Sequence, residues 1–206
     1  MTRPLGFVVG LAAEARIARR LGLVAIGGGM PDGAEQAAEA LVTQGARGLI
    51  SFGLAGGLDP ALGSGAIVIP AIVRANATDF VTAELLGPTR GLLLAGTTIL
   101  ATKAAKAALF QTTGAAAIDL ESGAVARVAH RHNLPFAVLR AICDPADRDL
   151  PPAALAALDR DGAIGVWRVL ASVARNPGQL PGLFALARDA ALARRALLRA
   201  AARIMP

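Results

Sequence analysis

The chain has 206 residues, 54% of them hydrophobic but only 3% aromatic, with no tyrosine, one cysteine and a net charge of +6. That length suits one α/β domain with its own core, and the lone Cys143 excludes an intramolecular disulfide and fits a reducing compartment. No run of about 18 uncharged apolar residues carries the flanks of a spanning helix, and the lack of stacking aromatics or a helix-turn-helix pattern counts against nucleic acid, leaving an anionic membrane surface as the other partner for the basic charge.

Strand and helix patterns alternate. LGFVVG (Leu5–Gly10) reads as a buried first strand and not as a signal peptide, because Glu14 and Arg16 follow it without a convincing cleavage site. A helix follows over about Ala12–Leu21, then LVAIGGG as a second strand running into glycine. Pro31-Asp32 starts the helix PDGAEQAAEALVTQGA, which keeps its period to Gly45. GLISFG is a strand, LAGGLDPALGSG a glycine-rich loop, AIVIPAIVR a strand bent at Pro70, and RGLLLAG another strand. ATKAAKAALFQTTG is a helix closed by Gly114, AAAIDLESGAVARVAHRH a short strand feeding a helix, and LPFAVLRAICD the last strand. Helical patterns over about Pro152–Ala174 and Leu180–Ile204 finish the chain. This order predicts a single domain over residues 1–206, three αβα layers around a mixed, mostly parallel sheet.

In an open α/β sheet, ligands bind outside the carboxyl ends of the strands. Glu14 lies just past the first such end, FGLAGG (Phe52–Gly57) at the third, and IDLESG and CDPADRD at two more. Around Gly53, Leu54, Ala55 and Gly56 a ligand could approach bare backbone, although a tight turn calls for the same glycines. Neither GxGxxG nor GxxxxGK[ST] is present, so a dinucleotide fingerprint or P-loop is poorly supported. Asp119 and Glu121 share a face if extended. Either alone serves a helix dipole, and a carboxylate there could also accept two adjacent sugar hydroxyls. Asp144 ends an apolar strand. Partial desolvation there raises a carboxyl pKa and gives an acid able to protonate a leaving group, while the plainer role is a cap ahead of Pro145. Asp147 and Asp149 read as loop or cap residues, and His130 and His132, beside Arg131, as charge complements at a helix C-terminus. No Cys/His cluster has metal-ligand spacing.

GLAAEA after the first strand, FGLAGGLDPALGSGAIVIP, IDLESGAVARVA and PFAVLRAICDPAD, in that order, resemble the motifs of the nucleoside phosphorylase and nucleosidase superfamily, which includes purine nucleoside phosphorylases and methylthioadenosine/S-adenosylhomocysteine nucleosidases. The resemblance spans roughly Leu5 to Asp147. It implies that Asp144 protonates purine N7 as the glycosidic bond breaks, that Glu121 grips the ribose hydroxyls with Leu120 against the sugar, and that Ile99 and Leu100 line the base pocket beside Cys143. The phosphorylases hold phosphate with a serine in the glycine loop and an arginine after the first strand; here Leu54 and Glu14 stand at those places. The nucleosidases activate water with a glutamate after the first strand, and Glu14 lies one residue from that position. Hydrolysis and phosphorolysis both stay open, with Lys103, Arg16 or Arg47 able to supply charge for phosphate.

The shortened middle region, the TKAAKAAL helix and the basic C-terminal extension resemble the hopanoid-associated phosphorylase branch, which implies release of adenine from adenosylhopane, a lipid nucleoside. Independently, a helical wheel of the last helix clusters Arg188, Arg195, Arg199 and Arg203 opposite Leu183, Leu186, Leu197 and Ile204. Such a helix either packs on the domain with its arginines in water or lies on an anionic membrane. The expectation is a cytoplasmic homo-oligomer, peripheral to the inner membrane in the second case, acting on a small-molecule or lipid nucleoside. It needs no metal or cofactor, and phosphate is the one candidate co-substrate. The alternatives are a methylthioadenosine-type nucleosidase with a soluble substrate, and a nucleoside- or lipid-binding module without activity.

Overall fold

A computed structural model describes residues 4–157 and 175–204. Among the described residues nine strands form one mixed sheet: β1 (Gly6–Val9), β2 (Leu23–Ile26), β3 (Leu49–Gly57), β4 (Ile67–Val68), β5 (Ile72–Ala75), β6 (Thr78–Val81), β7 (Leu92–Ala95), β8 (Ala117–Asp119) and β9 (Phe136–Asp144). The main path runs β2-β1-β3-β8-β7-β5-β6, with β9 on β3 and β4 on β9. Strand β3 is the hub. It is parallel to β1 over its first residues, parallel to β9 along its length, and antiparallel to β8 through Gly56 and Gly57.

Alternation of side chains assigns the two faces. Val8, Leu49, Phe136, Val138 and Ile142 point to the face covered by α2 (Pro31–Thr43) and α4 (Ser122–Arg131). Phe7, Val9, Ile50, Phe52, Leu139 and Ala141 point to the other, where α1 (Ala12–Ala18) and the C-terminal helix pack. The rings of Phe7 and Phe52 meet edge to face at 6.0 Å. A third, small cluster of Leu58, Leu94 and Ala115 sits under α3 (Lys103–Thr113). That helix is capped by the Thr102 hydroxyl at its start, and at its end by Gly114, whose φ of 65° suits glycine.

Two readings change. LAGG is strand and not loop, because β3 continues to Gly57 with ladder partners in both β9 and β8. AIVIPAIVR is two strands, β4 and β5, broken at Pro70, which has no amide hydrogen to give a ladder. Strand β6 pairs with β5 across a two-residue turn that begins at Asn76, held at φ 55°. The helix expected over Pro152–Ala174 is seen as α5 (Pro152–Ala157), and its remainder lies outside the described residues.

The last helix, α6 (Leu180–Ile204), buries Asp189, Ala193, Leu197 and Ala201 at four-residue spacing against β9 and α1. Its outer side carries Arg188, Arg195, Arg199 and Arg203, with Phe184, Leu192 and Leu198 exposed among them. Among the described residues no helix is long and apolar enough to cross a membrane. Leu197→Ala is expected to cost about 2–4 kcal/mol in urea unfolding. Leu198→Ala, from a side chain 50% exposed, should stay within about 0.5 kcal/mol. Equal losses would mean that α6 is seated on a different face.

Candidate active site

The site begins with one charged residue inside an apolar strand. In FAVLRAICD the period of two puts Arg140 on the same face as Phe136, Val138 and Ile142, toward the N-terminus of α4. A buried guanidinium needs acidic partners, and IDLES supplies them. Arg140 Nε lies 2.6 Å from Asp119 Oδ2. Both Nη atoms donate to Glu121 Oε2 at 3.2 Å, and Nη2 also donates to Ser51 Oγ at 2.6 Å. Asp119 in turn accepts from the Ser122 hydroxyl and from the amides of Glu121 and Ser122, so it also starts the helix. The helix-cap and ion-pair roles of this carboxylate coexist.

Glu14 enters from the other side. Its Oε2 accepts from the Gly10 and Leu11 amides and its Oε1 from the Leu54 amide, tying the end of β1 to β3. Gly53 has to be glycine here, since a β-carbon would lie 2.7 Å from both Glu14 Oε1 and Arg140 Nη1. Three carboxylates thus surround one guanidinium. Burial pushes Glu121 up to about 7; Arg140 opposes the shift while Glu14 and Asp119 add to it. Burial also raises Glu14, against the pull of Arg140 and the three amides. Glu121 Oε1 is buried and has no hydrogen-bond partner among the described residues. An unpaired carboxylate oxygen is costly to bury, and a ligand hydroxyl placed there would satisfy it.

Asp144 ends β9 beside Gly56, its ladder partner. Its Oδ1 accepts from Lys106 Nζ at 2.7 Å, while Oδ2 lies 3.8 Å from where a β-carbon on Gly56 would sit. Burial raises the Asp144 pKa, with Lys106 pulling the other way. Asp149 Oδ1 accepts from the Lys103 amide at 2.6 Å and so serves the start of α3, while Asp147 is a surface residue paired with Arg148.

The remaining predicted residues fall around this centre. Leu54 is half-buried, with its carbonyl near Arg140 Nη1. Cys143 lies within 3.6 Å of the Ala55 carbonyl, its thiol pushed up to about 12 by burial, which leaves it inert as a nucleophile at neutral pH. Leu120 lines a cavity of about 220 Å³ with Ala95, Gly96, Thr97 and Arg127. Leu100 packs on the Leu58–Leu94 cluster, and Ile99 is 38% exposed. Both precede Ala101, whose carbonyl accepts from the Leu150 amide of the Asp144 loop. Arg47 sits beyond the opposite end of β3, and Arg16 and Lys103 are exposed on their helices. The buried cations of the site are instead Arg140 and Lys106, which the sequence reading passed over. The larger depression, about 840 Å³ along β6 and the end of α4, is lined by none of the site carboxylates. Arg131, which lines it, pairs with Glu35 and Glu39, and the neighbouring His132 with Glu39. Among the described residues no cluster of His, Cys, Asp and Glu is arranged to hold a metal ion.

The phosphorylase superfamily model matches residues 73–163 of the sequence. No curated protein matches it. Among solved structures, the futalosine hydrolase of Helicobacter pylori aligns with a TM-score of 0.67 at 16% identity, covering 98% of this chain and 97% of that one. The 5′-methylthioadenosine/S-adenosylhomocysteine nucleosidase of Neisseria meningitidis, in complex with methylthio-immucillin-A, gives 0.66 at 16% identity over 97% and 98%. The Colwellia psychrerythraea nucleosidase with adenine gives 0.62 at 17% over 84% and 94%. At these identities the likeness is one of fold.

The Glu121 carboxyl has a testable sign. Its folded pKa of about 7 lies above the ordinary 4.5, so its contribution to stability is full below about 4.5 and is lost as pH rises through 7. Glu121→Gln should match the wild type in thermal unfolding at pH 5. At pH 8 it should be the more stable of the two, by on the order of 2–3 kcal/mol. A constant difference across that range would remove the raised pKa.

Proposed function

The chain carries the phosphorylase-superfamily signature on the fold of the nucleosidases, and from that premise we propose that it cleaves the N-glycosidic bond of an adenine nucleoside. The observation that carries this reading is a pair of carboxylate oxygens left open past the ends of β9 and β8, the two strands that flank β3: Asp144 Oδ2 and Glu121 Oε1. Cleavage puts negative charge on the departing base and positive charge on the ribose. An acid at the base and a carboxylate at the sugar both act more strongly on that state than on the substrate. Asp144 delivers its proton to purine N7, Glu121 Oε1 accepts from a ribose hydroxyl, and Leu120 packs on the sugar.

Water is the proposed acceptor of the ribosyl group. The Leu54 amide, which could otherwise face an anion, donates to Glu14, and three carboxylates crowd the same place. That field repels phosphate and suits Glu14 as the base that takes a proton from water. No cofactor enters the scheme.

The proposed substrate is a lipid-linked nucleoside, adenosylhopane, supported by the likeness to the hopanoid-associated branch and by the outer side of α6. There four arginines flank exposed Phe184, Leu192 and Leu198, an arrangement that suits an anionic leaflet. The protein then works in the cytoplasm at the inner membrane. A homo-oligomer is proposed as well, since β6 is an edge strand with Val81 79% exposed.

Adenine release from adenosylhopane, 5′-methylthioadenosine and adenosine, with and without phosphate, tests the reaction. Release independent of phosphate is expected, and Asp144→Asn should lower kcat by roughly 10²–10⁴ with substrate affinity kept. No release from any of the three would leave only a binding module, and release that needs phosphate would overturn the role of Glu14.

Reversing Arg195, Arg199 and Arg203 to Glu should reduce co-sedimentation with anionic liposomes at low salt, each arginine contributing about 1 kcal/mol near the surface. If the wild type also fails to sediment, the membrane reading falls and the nucleosidase reading stands.

A further inference from the structure

Helix α3 is built mostly of alanine, threonine and lysine, and most of it faces water. Its one fully buried side chain is a lysine. Lys106 is 1% exposed while Ala104, Ala107 and Ala108 are exposed on the same helix. A helix that leaves its alanines outside and buries an ammonium runs against the ordinary preference of both residue types. The burial is compensated in full: the three N–H groups of Lys106 meet three acceptors, Asp144 Oδ1 at 2.7 Å, Pro145 O at 3.0 Å and Arg148 O at 3.1 Å.

The surroundings hold this arrangement from several sides. The loop after Asp144 is stitched to the start of α3 by Lys103 N–H to Asp149 and by Leu150 N–H to the Ala101 carbonyl. Arg148, whose carbonyl takes one Lys106 hydrogen, has its guanidinium 2.8 Å from the buried Asp189 of α6. The charged groups facing Asp144 are therefore Lys106 from α3, Arg148 from its own loop and Asp189 from α6.

We propose, resting on the nucleosidase reading above, that Lys106 is a positioning residue for the acid step: it fixes the Asp144 carboxyl through Oδ1, turns Oδ2 toward the leaving base, and holds a positive charge against the carboxylate that proton transfer leaves behind. In the step itself the Oδ2–H bond of Asp144 breaks and its proton bonds to a ring nitrogen of the base. The electron pair of the glycosidic bond passes to the base. Water adds to the ribose carbon and gives up a proton to Glu14; after release Glu14 passes that proton to solvent and solvent returns one to Asp144, so no net proton is consumed. Asp144 passes from neutral to negative during the step. An ammonium 2.7 Å away in a buried site therefore stabilises the later state and not the earlier one. Arg140 cannot do this work, because its donors are taken up by Asp119, Glu121 and Ser51.

The test is a cycle of Lys106→Met, Asp144→Asn and the double variant, with 5′-methylthioadenosine as probe and adenine release read across pH. Lys106→Met should lower kcat roughly 10–100-fold with little change in KM. It should also move the alkaline limb of kcat to higher pH, because Asp144 loses the cation that favours its ionised form. In the Asp144→Asn background Lys106→Met should cost nothing more. Lys106→Arg, which keeps the charge, should recover part of the loss. Circular dichroism checks that each variant is folded. Should Lys106→Met fail to fold, Lys106→Gln, which removes the charge and keeps a donor, decides: a lowered kcat with the alkaline limb moved to higher pH upholds the role, and kcat and limb both at their wild-type values overturn it. If Lys106→Met folds and keeps both kcat and the limb, or if its loss adds in full to that of Asp144→Asn, the role is overturned while the reaction stands. A wild type that releases no adenine from 5′-methylthioadenosine, adenosine or adenosylhopane overturns the reaction first and this role with it.

Discussion

A guanidinium in the middle of a buried strand sets terms that the rest of the molecule meets. Arg140 cannot be left unpaired in a sheet covered on both faces, where removing a partner of a buried charge costs about 3–5 kcal/mol. The β8–α4 junction therefore delivers Asp119, Glu121 and Ser122 to it, β3 delivers Ser51, and Gly53 stays bare so that Arg140 and Glu14 can both come up against the backbone. Fold and site are one construction here. The same strand that joins β3 to β4 carries the cation, and its final residue is Asp144.

The charges then divide into two groups with different chemistry. Around Arg140 there are more carboxylates than cations, so burial drives Glu121 and Glu14 upward and one oxygen of Glu121 stays open. Around Asp144 the balance is one to one, with a lysine whose every hydrogen is used. Environments that differ in this way separate the behaviour of neighbouring carboxyl groups: one group can serve the sugar and the attacking water, the other the base. The large depression along β6 has no such arrangement, and its ion pairs are exposed surface pairs of small energetic weight.

Much of this was legible in the chain. The β/α alternation and the carboxylates at strand ends follow from period and from the rule that open sheets bind ligands at their carboxyl edge; Glu121 and Glu14 meet at Arg140, and Asp144 stands further along the same strand, at its end. Arg140 was missed although its signal was plain: a single cation in the nine residues of FAVLRAICD implies acidic partners across the fold. Lys106 had no such signal, since TKAAKAAL offers two lysines three residues apart and only packing decides which is buried. The glycines of LAGG read as loop because glycine favours turns, yet β3 runs on through them, and the close approach of side chains that demands a glycine is one step earlier, at Gly53. Strand β6 escaped notice because it is four residues long and borrows its stability from β5.

The proposed reaction requires an adenine nucleoside to sit with its base at Asp144 and its sugar at Glu121. A crystal structure with a non-cleavable adenine nucleoside analogue tests this directly. The expected complex has a ring nitrogen of the base within hydrogen-bond distance of Asp144 Oδ2 and a ribose hydroxyl on Glu121 Oε1. An analogue bound elsewhere, along β6 for example, or bound at this edge with the sugar on Asp144 and the base on Glu121, would contradict it.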